Sequence, residues 1–585
     1  MKKNLLLWCC MTLLCVSCGK RITKTDLVGI VPKPVSEQLL DGTFDLNRHT
    51  KIRLLANDSM LMRSVDFFNG VVEPSLGKSL KAVQASVKQD KAINVWIEDS
   101  LEAEGYRLTI RPESIDIAGG SPAGVFYAFQ TLRQLLPTEA LQGKRACVIE
   151  LPAIEITDQP HFAYRGAMLD ACRHFFTVDE VKEYLDLLAM HKINQFHWHL
   201  TDDQGWRIEI KKYPELTRIG SIREKDLLSH VYFDPERKYD ERLYGGYYTQ
   251  DQIRDIVQYA ADRFITVIPE IEMPGHATAA LAAYPYLGCI GKDYKVATLY
   301  GIQPDAFCAG KDSTFFFLED VLTEVMDLFP SEYIHIGGDE CQKDRWEECP
   351  YCQKRIRDEH LKNETELQSY FVHRIDKFLS SKGRRVLGWD EILEGGDLSK
   401  NAAVMSWRGT TGGIEAAKHG NHVVMSPYTF CYLDYYQTPD TVGEPMAFGN
   451  VLTIDSVYKL DPYAGLNAEE QQYILGVQAN LWSEYIWGLD HLEYMTLPRL
   501  AAIAEVGWSY GEKDYPDFSN RMHALVRLYD AAGYKYGKHM FGLEALADNK
   551  KMVESFMKNR SDSAATTSAT SDPERVAGMD TTSAQ

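Results

Sequence analysis

From residue 164 onward, short apolar runs alternate with longer segments in which apolar residues recur every three or four positions. The runs at 164–169, 195–200, 266–271, 333–336, 385–388, 403–405, 422–425 and 475–479 read as strands buried on both faces. Between them, 179–192 carries Val181, Tyr184, Leu185 and Leu188 on one face behind a Thr177-x-x-Glu180 capping box. The segment 251–263 follows Thr249-x-x-Gln252 with Ile253, Ile256, Val257 and Ala260 inward. A helix at 367–379 is expected after Thr365-x-x-Gln368, stopping at Gly383. Eight strands in this rhythm predict a catalytic (β/α)8 TIM barrel over 158–545, closed by C-terminal helices. A doubly wound sheet would need a glycine-rich phosphate loop after its first strand, and none is there.

Upstream the pattern differs. Strands at 94–97, 106–110 and 115–118 precede a helix at 124–136 striped by Val125, Phe126, Phe129, Leu132, Leu135 and Leu136, which predicts a small α/β domain over 18–157. The last stretch, 546–585, turns Ser/Thr/Ala-rich with little to bury and reads as mostly disordered.

Composition narrows the function classes. With 45% hydrophobic residues the chain is globular, and a net charge of −20 without Lys/Arg clusters excludes nucleic acid as a partner. At the N-terminus, Lys2 and Lys3 precede an apolar run that ends Cys15-Val16-Ser17-Cys18-Gly19. This resembles a bacterial lipoprotein signal, so 1–17 is expected to be removed and Cys18 lipidated. That places the protein outside the cytoplasm, anchored to the bacterial, expectedly outer, membrane on its periplasmic or cell-surface face. Eight cysteines remain after the leader and Cys18 are set aside, and disulfides among them are permitted but not specified. Cys341, Cys349 and Cys352 offer three thiols but no fourth ligand, so no metal is expected, and a local disulfide or free buried thiols are expected instead.

The residues that follow the eight strands are polar and aromatic: Asp170 and Arg173, then His197, His199, Asp202 and Asp203, then Glu272 and His276, then Asp339 and Glu340. Trp389, Trp407, Tyr432 with Asp434, and Trp482 with Glu484 complete the circle. Barrel enzymes build their sites at these strand ends. Three tryptophans suit the C–H face of a pyranose, and carboxylates with an arginine suit its hydroxyls. The best carboxylate pair, Asp339-Glu340, is adjacent in sequence, whereas glycosidases that use two carboxylates place them on opposite sides of the bond. Adjacent carboxylates can cooperate if the nucleophile belongs to the substrate.

Five motifs carry a resemblance: Arg165-Gly-Ala-Met-Leu-Asp170-Ala-Cys-Arg173, His197-Trp-His-Leu-Thr-Asp202-Asp203-Gln-Gly-Trp206, Met273-Pro-Gly-His276, His335-Ile-Gly-Gly-Asp339-Glu340 and Leu481-Trp482-Ser-Glu484. In order and spacing they resemble the β-N-acetylhexosaminidases of glycoside hydrolase family 20, and Gly124–Leu135 looks like the helix of that family's N-terminal domain. The resemblance implies an exo-acting, retaining enzyme that removes terminal β-linked GlcNAc or GalNAc from glycans through an oxazolinium intermediate, without a cofactor. Glu340 would be the general acid and base, Asp339 the partner of the acetamido N–H, and Tyr432 the donor to the acetamido oxygen. Trp389, Trp407 and Trp482 would wall the pocket. Arg173, Asp434 and Glu484 would hold ring hydroxyls, and His276 with Asp202 would sit behind Glu340. Glu272 departs from the usual aspartate by one methylene.

Two rivals remain at this stage. His197-x-His199 on one strand looks like a paired metal ligand of a TIM-barrel hydrolase, although Trp389 and Trp407 stand where further histidines would be needed. A non-catalytic glycan-binding lipoprotein would be expected to lack Asp339, Glu340 or Tyr432, and all three are present.

Overall fold

The computed structural model describes residues 20–25, 28–396, 398–542 and 547–555. The leader, Cys18 and the segment 556–585 lie outside the described residues; of the stretch 546–585 expected to be mostly disordered, 547–555 is instead helical, with Val553 buried. No helix among the described residues is long and apolar enough to cross a membrane. The described residues form two units, the first made of those before Gly29 together with Ser36–Thr157, the second of Gly29–Val35 and those from Asp158 onward.

The first unit is an eight-stranded mixed sheet with helices Leu61–Leu76 and Pro122–Gln134. Ser121 caps the second helix, its Oγ accepting from Ala123 N at 3.1 Å, and Pro122 occupies the first turn, where a missing N–H costs nothing. The two helices meet through Phe67–Phe126 and Phe68–Phe129, each with ring centroids 5.1 Å apart. Hydrophobic periodicity revealed only part of this sheet. The antiparallel pair Ser36–Leu46 and Val148–Asp158 escaped it because the first of these strands is largely exposed and its register shifts between Leu39 and Thr43.

The second unit is the expected barrel. Tyr164–Asp170, Gln195–His199, Thr266–Glu270, Tyr333–His335, Arg385–Trp389, Ala403–Ser406, His422–Met425 and Ile474–Ala479 pair in parallel, and the last closes on the first. Tyr164, Ile268, Leu387, Trp389, Ala403, Met405 and Val424 pack in one buried cluster. The capping boxes at Thr177/Glu180 and Thr249/Gln252 form as the sequence predicts.

One helix start is corrected. Helix Glu364–Ser381 begins before Thr365 and is capped by Asn363, whose Oδ1 accepts from Glu366 N at 3.0 Å. Asparagine is the stronger cap, and Gln368 is thereby freed to donate through Nε2 to the carbonyl of Gly338 at 2.8 Å. The grouping of the cysteines is also corrected. All eight described cysteines are free thiols; Cys341 turns away to Gln342 O, while Cys289 and Cys308 come to Cys349 and Cys352.

Candidate active site

The fourth barrel strand ends at His335, and the chain then turns through Ile336, Gly337 and Gly338 into Asp339 and Glu340. Gly337 has φ +67 and Gly338 φ +99, left-handed conformations that cost a side chain free energy. A Cβ on Gly337 would also lie 1.7 Å from Glu272 Oε2, so both backbone and space demand glycine. Glu340 itself is left-handed, at φ +49. The turn aims the two adjacent carboxylates at one nitrogen: His276 Nε2 is 3.5 Å from Asp339 Oδ2 and 3.6 Å from Glu340 Oε2. His276, after the third strand, is left-handed too, at φ +47. Strained non-glycine residues of this kind concentrate where geometry serves a site.

Behind His276 stand the carboxylates that follow the second strand. Its Nδ1 is 3.2 Å from Asp202 Oδ1 and 3.1 Å from Asp203 Oδ2. Burial alone would push the imidazole's pKa down, but Asp202, Asp339 and the bonds to Asp202 and Asp203 carry it well above the ordinary histidine value. An imidazolium therefore lies between two acidic pairs. Asp339 is pushed up to about 6 by burial, which His276 opposes and the negative Glu270 and Glu340 reinforce. Its Oδ1 is buried and has no hydrogen-bond partner among the described residues.

A second group adjoins the first through Asp202. Arg173 places its guanidinium 2.9 Å from Asp202 Oδ2, 3.2 Å from Asp170 Oδ2 and 4.0 Å from Glu484 Oε1, and donates through Nε to Gln204 Oε1 at 3.0 Å. Burial tends to raise the carboxyl of Asp202, yet Arg173 and the two histidines hold it well below its ordinary value. Glu484 is pushed up to about 7 and Asp434 well above the aspartate range, in both cases by burial first. Asp434 Oδ1, like Asp339 Oδ1, is buried without a partner among the described residues.

Aromatic rings form the wall. Trp389 and Trp482 have ring centroids 5.8 Å apart, Trp482 and Tyr432 6.4 Å, and Tyr432 stacks on Trp407 at 6.2 Å with 19° between planes. The Arg173 guanidinium lies 5.0 Å from the centre of the Trp482 ring. Thus the structure brings ten of the eleven sequence-derived residues of the barrel mouth into one connected set, and Asp434 is buried near enough for the Glu484 charge to act on it. Cys18 lies outside the described residues.

Several residues that shape the site were not singled out by sequence. Glu270 is fully buried; its carboxylate is 2.8 Å from His335 Nδ1, 3.1 Å from His197 Nε2, bonded to His199 Nδ1, and accepts from Trp389 Nε1 at 2.9 Å. It is thus the shared partner of His197 and His199, the pair behind the metal-hydrolase rival. Glu391 accepts from Trp407 Nε1 at 2.8 Å and so fixes that indole. A strand-end glutamate flanked by apolar residues gives no local sequence signal of such roles. Glu272, already marked in the sequence, sits at the Gly337 turn with neither carboxylate oxygen hydrogen-bonded among the described residues and Oε1 3.9 Å from His199 Nδ1; burial, with Asp339 and Glu270, pushes it well above the usual range.

Comparison with known proteins agrees with this geometry. The family model described as "Glycosyl hydrolase family 20, catalytic domain" matches residues 162–510, and "Glycosyl hydrolase family 20, domain 2" matches 27–159. The chain is 45% identical to a beta-hexosaminidase of Porphyromonas gingivalis over 90% of this chain and 67% of that one. It is 34% identical to a beta-hexosaminidase of Vibrio furnissii, over 83% and 77% of the two chains. Among solved structures, the GH20 beta-N-acetylhexosaminidase of Streptomyces coelicolor superposes with a TM-score of 0.76 at 32% identity, over 88% of this chain and 98% of that one. The beta-N-acetylhexosaminidase of Bacteroides fragilis gives 0.74 at 33% over the same shares. The barrel, its ring of strand-end residues and the domain before it make this chain a member of glycoside hydrolase family 20.

Proposed function

We propose that the protein is an exo-acting, retaining β-N-acetylhexosaminidase that uses the substrate's own acetamido group as nucleophile. The observation that carries the reading is the convergence of Asp339 and Glu340 on His276 Nε2. Carboxylates that face one nitrogen from adjacent positions do not flank a glycosidic bond as acid and protein nucleophile.

With the sugar in the aromatic pocket, the acetamido oxygen attacks C1 while Glu340 gives its proton to the leaving oxygen. The C1–O bond breaks and a cyclic oxazolinium forms with retained connectivity to the sugar. Asp339, through its unpartnered Oδ1, accepts from the acetamido N–H and balances the positive charge. Tyr432 donates to the acetamido oxygen and orients it. Glu340, now a carboxylate, takes a proton from water as that water attacks C1 and reopens the ring. Tethering the nucleophile to the substrate removes the entropy of recruiting it, an advantage worth up to roughly 7–11 kcal/mol. Arg173, Glu484 and Asp434, all buried, bind the hydroxyls of the terminal ring, which makes the enzyme exo-acting. His276, positively charged and held by Asp202 and Asp203, positions both carboxylates.

Lipidation at Cys18 and an extracytoplasmic, membrane-anchored location rest on the leader sequence and complete the reading. Proton NMR of the first product tests the mechanism. A β-anomer that mutarotates later is expected, and an α-anomer formed first overturns it. The same assay on GlcNAc and GalNAc glycosides sets the preference at C4.

A further inference from the structure

We propose that Cys289, Cys308, Cys349 and Cys352 bind a structural zinc ion that pins the loop carrying His276 to the segment carrying Asp339 and Glu340. The four Sγ atoms all lie within 4.8 Å of one another. The separations are 3.8 Å for Cys289–Cys352, 3.7 Å for Cys308–Cys349 and 3.6 Å for Cys308–Cys352. Four sulfurs each about 2.3 Å from a central zinc define a tetrahedron with edges of about 3.8 Å. Two disulfides would instead bring the sulfurs together in bonded pairs about 2.05 Å apart. One compact cluster of four suits a single ion, and four thiolates leave no open position for water or substrate, which marks a structural site.

The surroundings favour thiolates. Cys349 and Cys352 flank the start of helix Pro350–Asp358, whose N-terminal dipole stabilises negative charge. Cys308, Cys349 and Cys352 are buried, and Cys289 partly so. Binding releases four protons: four thiols and Zn²⁺ give a dianionic tetrathiolate complex. The ligands come from three places in the chain, Cys349 lying 41 positions after Cys308 and Cys352 63 positions after Cys289. No single sequence window holds them, and the local Cys349-Pro-Tyr-Cys352 pair is only half of the site.

The site adjoins the catalytic turn through a short hydrogen-bonded path. Next to Cys308, Phe307 N donates to Pro274 O at 2.9 Å, two residues before His276, and Phe307 O accepts from Trp346 Nε1 at 3.0 Å. Gly275 lies against the Asp339–Cys341 backbone, where an added Cβ would be 3.1 Å from Asp339 O. A metal clip behind these contacts holds the two loops in register without entering the reaction.

The test is elemental analysis of the full-length protein purified without chelator, combined with cysteine alkylation read by mass spectrometry. One zinc per chain is expected. Cys289, Cys308, Cys349 and Cys352 should resist alkylation in the native protein and react once zinc is removed under denaturing conditions without reductant. Cys289→Ser should lose the zinc and lower the Tm; if it does not fold, the wild-type metal content and alkylation pattern decide alone. Absence of metal with freely reactive thiols, disulfides among the four, or iron in place of zinc would each overturn the proposal.

Discussion

Asp339 and Glu340 are neighbours that touch the same imidazole, yet they should fail differently when changed. Asp339→Asn keeps the shape and removes a charge that the oxazolinium needs close by. Opposite charges about 4 Å apart interact by about 4 kcal/mol at an effective dielectric constant near 20. At about 1.36 kcal/mol per decade, the variant should lose roughly three orders of magnitude in kcat. That loss should be the same for any leaving group, because the charge acts on the sugar side of the bond. Glu340→Gln removes the proton donor, an effect of about 10²–10⁴-fold where the leaving group is a poor alkoxide. An aryl leaving group departs with little protonation, so its first step should be partly spared. The assay is kcat/KM of both variants on an aryl N-acetylglucosaminide and on a disaccharide with the same terminal sugar. Equal leaving-group sensitivity in the two variants, or the greater sensitivity in Asp339→Asn, would refute the assignment.

Four further outcomes follow from named residues. Because Asp339 must be ionised and is pushed up to about 6, kcat/KM should fall as pH drops through that value, and the limb should vanish in Asp339→Asn. The same rise has a stability consequence: the protonated carboxyl's contribution is complete below about pH 4 and lost as pH rises through about 6. Asp339→Asn should therefore be the more stable protein at pH 7, by up to about 3 kcal/mol of unfolding free energy and with a higher Tm, and the difference should shrink toward pH 4. Arg173→Lys replaces a guanidinium shared by Asp170, Asp202 and Gln204 with a point charge. It should lower kcat/KM by about 10–100-fold, mostly through KM, and an unchanged KM would contradict hydroxyl binding. Cys18→Ala should shift the protein from the membrane fraction to the soluble one in cell fractionation, and unchanged partitioning would exclude the anchor.

The barrel was legible because its strands are short apolar runs spaced by capped amphipathic helices, a pattern set by local chemistry. The long strands of the first unit were not, since exposure and a bulge erase the alternation that betrays a half-buried strand. At the site, side chains just past the strands were readable from position and type alone. Glu270 was not, because its role comes from neighbours on other strands: His199 and His335 lie 71 and 65 positions away in the chain. The same holds for Cys289 and Cys308, which only tertiary structure brings to Cys349 and Cys352. Asn363 prevailed over Thr365 as a helix cap, and Gln368, no longer needed for a capping box, braces the Gly338 carbonyl.

The central claim is that the nucleophile belongs to the substrate. It is tested most directly by comparing kcat/KM for an aryl β-N-acetylglucosaminide with the aryl β-glucoside that differs only in carrying a hydroxyl at C2. The acetamide should be cleaved rapidly and the glucoside at no measurable enzymatic rate, since the nucleophilic carbonyl oxygen is missing from it. Comparable cleavage of the two would show that the protein supplies its own nucleophile and that Asp339 and Glu340 do not act as described.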